Sequence, residues 1–245
     1  YIGLKGGKTL LFPLNGDLYY YELASAKSRK LTDTDAFETD ARFSPKGHFV
    51  SFIREQNLYA LNLKTGQEIQ LSKDGGGVIK NGMAEFVAQE EMGRMTGYWW
   101  SGDESKIAYT RVDESPVKEA IRNEIYADEV KLFNQRYPFT GTDNVKIQLG
   151  VVSINNQKTD WVDLGDDQDI YIARAKWLKD NKTLSYQWQD RSQHNLELRF
   201  YYSETKKQTV ALTETSDTWI NLHFDLQFLN DKKHFVWASE RDGFK

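Results

Sequence analysis

The chain has 245 residues, with 32 Lys and Arg against 36 Asp and Glu, which gives a net charge of −4. This charge argues against nucleic acid or an anionic membrane as the main partner, because phosphate binding needs clustered cations. It contains no cysteine, which excludes disulfides, thiolate metal sites and cysteine nucleophiles. Its apolar stretches are far shorter than the roughly 18 residues of a membrane span. The chain opens at Tyr1 without an initiator methionine or a signal-peptide pattern, which suggests a processed chain or an excised piece. The compartment stays open, with a periplasmic or secreted location slightly favoured over a cytoplasmic one.

A strand–turn–strand unit recurs along the chain and is the main indication of the fold. Each copy places a polar turn beside runs of aromatic and β-branched residues, which is typical of β-hairpins. Five copies are found, at Gly7–Tyr21, Gly47–Leu61, Trp100–Tyr109, Trp177–Tyr186 and Phe228–Trp237. Repeats of this kind predict an all-β fold, a β-propeller whose sheets are its blades.

The spacing of the units predicts two insertions. The steps from Phe43 to Trp100, Trp177 and Phe228 are 57, 77 and 51 residues, whereas a plain four-stranded blade needs about 40–50. The first insertion spans about 78–98 and the second about 113–150. In the second, residues 116–133 allow either a helix, with Pro near its first turn, or extended structure, and we favour the extended form.

The first insertion carries two adjacent carboxylates, Glu90 and Glu91. Residues 78–88 lack the alternation of apolar and polar residues that marks a strand, and Gln89 to Arg94 can form only a turn or two of helix before Gly97. We therefore expect a short projecting segment. Two neighbouring glutamates can converge on one small cation. The free α-amino group of a peptide, protonated near neutral pH and carrying three donors, is such a ligand.

The alternative interpretation of this pair is an ordinary helix surface. Glu90 and Glu91 precede Arg94 by four and three residues, the spacing of exposed ion pairs that contribute about 0.2–0.5 kcal/mol each. By spacing alone this solvated-face interpretation is favoured, and the residues around the pair must decide.

Those surrounding residues resemble the dipeptidyl peptidase IV family of serine exopeptidases. The resemblance is carried by Gln-Glu-Glu at 89–91, Thr-Gly-Tyr-Trp-Trp-Ser at 96–101 and Ile-Ala-Tyr-Thr-Arg-Val-Asp-Glu-Ser-Pro-Val at 107–117, and more weakly by Trp-Ala-Ser-Glu-Arg-Asp-Gly at 237–243. It implies that Glu90 and Glu91 anchor the amino terminus of a peptide substrate. It also implies a larger, usually eight-bladed propeller, of which residues 1–245 are a portion of about five units.

The resemblance further implies which partners to expect. Family members cleave with a Ser-Asp-His triad on a C-terminal α/β-hydrolase domain, and the required Gly-x-Ser-x-Gly motif is absent from this chain. The family reaction is release of an N-terminal dipeptide, usually with proline or alanine second. An arginine that assists substrate binding has three candidates, Arg54, Arg94 and Arg111. A propeller portion with uncovered end sheets is also expected to pair, with a homo-oligomer as one form of that pairing. A non-catalytic protein-binding propeller is the rival interpretation.

The remaining motifs predict no metal site and no cofactor. The four histidines lack metal-ligand spacing, and the aspartates at 33–35 and 166–169 lack the glycine and final glutamate of calcium loops. Gly75-Gly76-Gly77 has no following Gly-Lys-Ser/Thr, so a phosphate loop is not expected. Trp219 lies outside the repeats and is a secondary candidate for lining the substrate cavity.

Overall fold

Nearly all regular structure in the chain is antiparallel β-sheet. The computed structural model describes residues 2–3, 7–231 and 234–244. In the first, second and fourth sheets, four strands pair in chain order. The first sheet contains β1 (Ile2–Gly3), β2 (Thr9–Leu14), β3 (Asp17–Glu22) and β4 (Lys27–Lys30). The second contains β5 (Glu38–Phe43), β6 (Phe49–Arg54), β7 (Asn57–Asn62) and β8 (Glu68–Gln70).

The third sheet departs from this simple order. It contains β9 (Ile79–Asn81), β10 (Tyr98–Trp100), β11 (Lys106–Asp113), β14 (Lys146–Ser153) and β15 (Thr159–Trp161). Both β9 and β10 pair with β11, β10 opposite residues 107–109 and β9 opposite residues 111–113, while β14 pairs along the whole of β11. One edge of β11 is therefore shared by two short strands, and residues 82–97 leave the sheet between them.

The second excursion of the chain is a separate hairpin. Strands β12 (Glu119–Ile125) and β13 (Val130–Arg136) pair only with each other. The helix alternative for residues 116–133 is therefore wrong, and these residues are extended. Seven cross-strand pairs form along the hairpin, and this pairing outweighs the weak helical periodicity.

The remaining strands form the fourth sheet and the start of a fifth. The fourth sheet contains β16 (Ile170–Trp177), β17 (Thr183–Asp190), β18 (Asn195–Tyr202) and β19 (Lys207–Thr215). The last pair is β20 (Gln227–Phe228) with β21 (Phe235–Val236). The predicted turn of the fifth repeat includes Lys232 and Lys233, which lie outside the described residues.

The hydrophobic core lies between successive sheets. Leu11 and Leu18 of the first sheet pack with Val50 and Phe52 of the second. The next cluster joins the second sheet to the third, and a larger one joins the third sheet to the fourth through residues such as Leu149 and Tyr186. Sheets stacked face to face in chain order are the blades of a β-propeller, which confirms the predicted fold class.

The aromatic residues that mark the repeats occupy equivalent places. Each is the last residue of a strand near the start of its sheet. Phe43 ends β5, Trp100 ends β10, Trp177 ends β16 and Phe228 ends β20. This position explains why the repeat could be detected in the sequence. The total of eight blades stays a prediction.

A buried carboxylate ties the second sheet to the third. Glu104 follows β10, and its Oε1 accepts from the Lys46 amide at 2.6 Å while its Oε2 lies 2.7 Å from His48 Nδ1. Burial raises the pKa of the Glu104 carboxyl, but hydrogen bonds from Ser44, Lys46 and His48 outweigh it and hold the pKa below its usual value.

We therefore predict that this contact weakens in acid. A carboxyl whose folded pKa lies below its unfolded value stabilises the fold fully above the unfolded value of about 4.5 and loses that contribution as the pH falls through the folded pKa. Glu104→Gln should lower the free energy of unfolding by about 1–3 kcal/mol near neutral pH and reduce its decline in acid. Thermal unfolding from neutral to acidic pH measures both effects.

A matched control is Glu204→Gln, because Glu204 forms an exposed ion pair with Lys182, and such pairs contribute about 0–1 kcal/mol. A Glu104→Gln protein with unchanged melting temperature and an unchanged acid limb would contradict the assigned contact.

Candidate functional site

The predicted acid pair lies on a short projecting segment, residues 85–96, which we call the acid-pair segment. Its helix α1 spans Phe86–Glu90, and Glu91 is its C-cap residue. The helix therefore begins and ends earlier than the sequence prediction of Gln89–Arg94. It ends because Gly93 has a φ of 62°, a left-handed conformation that favours glycine and stops a helix.

The start of α1 is set by Glu85, which sequence reasoning missed. Its carboxylate caps the helix by accepting from the Ala88 amide at 2.5 Å. Glu85 is only 3% exposed. Glutamate is not among the preferred N-cap residues, so the sequence carried no clear signal for this role.

Glu85 also binds Arg94 across the segment. Arg94 Nη2 lies 3.1 Å from Glu85 Oε1, and Arg94 Nη1 donates to the Thr96 carbonyl at 2.8 Å. Burial raises the pKa of the Glu85 carboxyl, with Arg94 and the Ala88 amide opposing that shift, and burial lowers the pKa of Arg94. The pair thus joins the first residue of the segment to its far end.

This contact rules out the ion pairs that the alternative interpretation assigned to Glu90 and Glu91. Arg94 is 5% exposed and turned towards Glu85, so the predicted surface ion pairs between Arg94 and the two glutamates are wrong. Glu90 and Glu91 are both exposed. Across the described residues, no hydrogen bond or ion pair engages either carboxylate. Two adjacent negative charges are therefore open to a ligand.

Neighbouring sheets hold the acid-pair segment in place. Thr96 Oγ1 donates to Asp40 Oδ2 at 2.8 Å, and the Tyr98 hydroxyl donates to the Asp40 carbonyl. Asp40 lies in a bulge of β5 with a φ of 46°. On the other side, buried Met92 packs against Tyr171 and Ala173 of β16. The segment is thus fixed between the second and fourth sheets, although it belongs to the third.

The three arginine candidates are each neutralised by carboxylates. Arg54 donates to Glu38 and, with both Nη atoms, to Glu68 at 2.8 and 2.9 Å. Arg111 Nε donates to Asp74 at 2.6 Å. With Arg94 bound to Glu85, none of the three presents an unpaired guanidinium.

Trp219 lines an open cavity of about 700 Å³ together with Glu214, His223 and Arg241. The indole is 65% exposed and donates to Asn221 at 3.1 Å. The loop that carries it continues to Leu222, which packs on the cluster around Met92. A role of Trp219 in substrate binding stays a prediction.

No group of three or more His, Asp or Glu residues in the described part of the chain is arranged to hold a metal ion. Among the same residues, no helix has the length and apolar character needed to cross a bilayer.

The buried pair leads to a prediction about stability. Removing one partner of a buried ion pair typically costs about 3–5 kcal/mol, because the other charge is left without compensation. We expect Arg94→Met alone to lower the free energy of unfolding substantially. Combining Arg94→Met with Glu85→Gln should restore much of the loss, since the glutamine amide oxygen can still accept from the Ala88 amide.

Chemical denaturation of the two single variants and the double variant gives the coupling energy. Strictly additive losses would contradict a direct Glu85–Arg94 interaction.

Comparisons with known proteins identify the family of the chain. The sequence model described as "Dipeptidyl peptidase IV (DPP IV) N-terminal region" matches residues 6–245. The chain is 26% identical over 189 residues to dipeptidyl aminopeptidase A of Saccharomyces cerevisiae, covering 74% of this chain and 20% of that protein. It is 30% identical over 163 residues to a probable dipeptidyl-aminopeptidase B of Talaromyces marneffei, covering 59% of this chain and 18% of that protein.

Solved structures share the fold. The crystal structure of Porphyromonas gingivalis dipeptidyl peptidase 4 matches with a TM-score of 0.88 at 23% identity, over 98% of this chain and 36% of that one. A putative dipeptidyl aminopeptidase IV from Bacteroides ovatus matches with a TM-score of 0.79 at 23% identity, over 96% of this chain and 32% of that one. The chain thus spans about a fifth of these curated relatives and about a third of these structures. Its sequence match over residues 6–245 establishes that the chain belongs to the dipeptidyl peptidase IV family, in the N-terminal region of that family.

Proposed function

We propose that this chain is the substrate-recognition propeller of a serine peptidase that releases N-terminal dipeptides. In this proposal Glu90 and Glu91 bind the free α-amino group of the substrate. The hydrolase chemistry belongs to a C-terminal α/β-hydrolase domain of the same polypeptide, which is the chain's intramolecular partner.

The observation that carries the proposal is the state of the acid pair. Both carboxylates are exposed and unpaired in the described structure, while Arg94, which has the helix spacing to pair with them, is held by Glu85. Adjacent like charges repel each other, so leaving them without a cation is unfavourable unless a ligand supplies one. A protonated amine supplies one positive charge and three donors.

The same pair explains selection for free amino termini. Charge-assisted hydrogen bonds are worth about 1.5–3 kcal/mol each. An acylated amino terminus has no charge and fewer donors, so both glutamates would lose hydration without gaining a partner. A peptide segment from the middle of a chain is excluded for the same reason.

We predict that Glu90→Gln and Glu91→Gln each lower kcat/KM for dipeptide substrates with a free amino terminus. The expected loss in the full-length protein is about one to two orders of magnitude for each, because a charge-assisted hydrogen bond becomes a neutral one. Steady-state kinetics on chromogenic dipeptide substrates measures it. Melting temperatures should stay near that of the unmodified protein, since both residues are exposed.

Glu204→Gln is the matched control, because this exposed glutamate pairs with Lys182 in the fourth sheet. Unchanged kinetics in both acid-pair variants would remove the assigned role. The isolated chain should show no hydrolysis, and hydrolysis by pure chain would contradict the location of the nucleophile. A full-length protein without any peptidase activity would favour the rival function, a protein-binding propeller.

We also propose that the hairpin of β12 and β13 joins two copies of the protein. Cross-strand register puts four apolar side chains on one face of this hairpin: Ile121, Ile125, Val130 and Leu132. They are 67%, 80%, 57% and 67% exposed. An exposed apolar face of this kind is typical of interaction sites, and a twofold dimer lets the same face bury itself.

This proposal predicts a change of oligomeric state. Ile125→Asp and Leu132→Asp together should shift the full-length protein towards the monomer, because each places a charge on the apolar face. Sedimentation velocity measures the shift. Arg122→Asp on the opposite face of β12 is the control. An oligomeric state that is the same with and without the Ile125 and Leu132 substitutions would contradict the proposal.

A further inference from the structure

Arg174 has a charge that no carboxylate of the described residues balances in an ion pair. It lies in β16 directly after a bulge between Ile172 and Arg174, and its side chain is partly buried. Its Nη1 donates to the Ala173 carbonyl at 2.7 Å, and its guanidinium carbon lies 4.1 Å from the centre of the Phe224 ring. Its Nε is buried without a hydrogen-bond partner.

Arg174 differs from the other arginines considered for the site in having no carboxylate partner among the described residues. Arg54, Arg94 and Arg111 each bind at least one carboxylate. No ion pair joins Arg174 to a carboxylate within the part of the chain that the structure describes. Burial and the nearby positive charge of Arg94 both lower the pKa of Arg174. The surroundings therefore destabilise this cation, and an anion would relieve that effect.

Arg174 also lies beside the acid-pair segment. Met92 follows Glu91 and packs against Ala173, the residue before Arg174. The Phe224 ring contacts the same segment, since a Cβ added at Gly93 would be 3.6 Å from Phe224 Cζ. Phe224 is thus stacked on Arg174 and adjacent to Gly93, two residues after the acid pair. The guanidinium of Arg174 and the segment that carries the acid pair therefore meet at one aromatic ring.

We propose that Arg174 binds the side-chain carboxylate of an aspartate or glutamate at the first position of the substrate. This inference rests on the proposed function, in which the acid pair holds the α-amino group of that same residue. An N-terminal acidic residue carries an ammonium group and a carboxylate on one small unit, which matches a site with two carboxylates and an adjacent guanidinium. Phe224 packs against the side-chain methylene groups and keeps the guanidinium plane in position.

A backbone carbonyl is the competing acceptor for Arg174. A carbonyl is present in every peptide, so losing a contact to it would lower kcat/KM for all substrates by the same factor. A carboxylate is present only in acidic peptides, so losing a contact to it would change the ratio of kcat/KM between acidic and neutral peptides. Aspartate and asparagine allow this comparison, because the two side chains have the same shape and differ in charge.

The experiment compares aspartyl-proline and asparaginyl-proline p-nitroanilides in the full-length protein. The unmodified protein should prefer the aspartyl substrate by about tenfold to a hundredfold in kcat/KM, the size expected for a charge-assisted hydrogen bond. Arg174→Met should reduce the ratio to one or below, because the acid pair then repels the aspartyl side chain. Arg174→Lys should keep part of the preference, since it retains the charge.

Arg29→Met is the control, because Arg29 lies in β4 of the first sheet and donates only to the Leu63 carbonyl among the side-chain contacts described. It should leave the aspartyl-to-asparaginyl ratio unchanged. The inference is overturned if the unmodified protein treats both substrates alike, or if Arg174→Met lowers both values by one factor. The ratio is measured within one protein preparation, so partial misfolding of a variant does not alter it. Failure of the proposed function is separate and would show as Glu90→Gln kinetics identical to those of the unmodified protein.

Discussion

The contact on which the candidate site depends is the buried pair of Glu85 and Arg94. Two charges 3.1 Å apart are withdrawn from water, and backbone groups add further hydrogen bonds, the Ala88 amide to Glu85 and the Thr96 carbonyl to Arg94. Removing either partner of such a pair leaves a buried charge without compensation. It sets where α1 begins and where the chain returns to the sheet.

The same contact keeps the acid pair available. Arg94 is at the right spacing to bind Glu90 or Glu91 along a helix surface. Glu85 competes for it inside the protein, where the interaction is screened less by water. The two exposed glutamates therefore keep their negative charge unbalanced. In this way a structural ion pair leaves the two neighbouring carboxylates exposed and without a cation.

The propeller tolerates this segment because of how the third sheet is built. Strands β9 and β10 share one edge of β11, so the chain can leave and return without loss of the core between sheets. Contacts to Asp40 in the second sheet and to Ala173 in the fourth then fix the excursion from both sides. The acid-pair segment is thus positioned by three sheets, and Arg174 of the fourth sheet lies beside it.

The sequence by itself determined the repeat, the all-β fold and the location of the acid pair. These follow from local patterns, the alternation of strands and a run of neighbouring residues around Glu90 and Glu91. The hairpin over residues 116–133 was ambiguous, because short apolar runs fit either period, and strand pairing resolved it.

The tertiary structure decided which charges are paired. Spacing predicted that Arg94 would bind the acid pair, whereas in the folded protein the buried Arg94 binds Glu85. The helix α1 begins at Phe86, earlier than the sequence predicted. Arg174 had no distinguishing sequence signal, since its environment is formed by Phe224 from a distant loop and by Arg94 from another sheet. Local sequence rules describe neighbours along the chain, but the strength of a charge interaction depends on how much water the folded protein leaves around it.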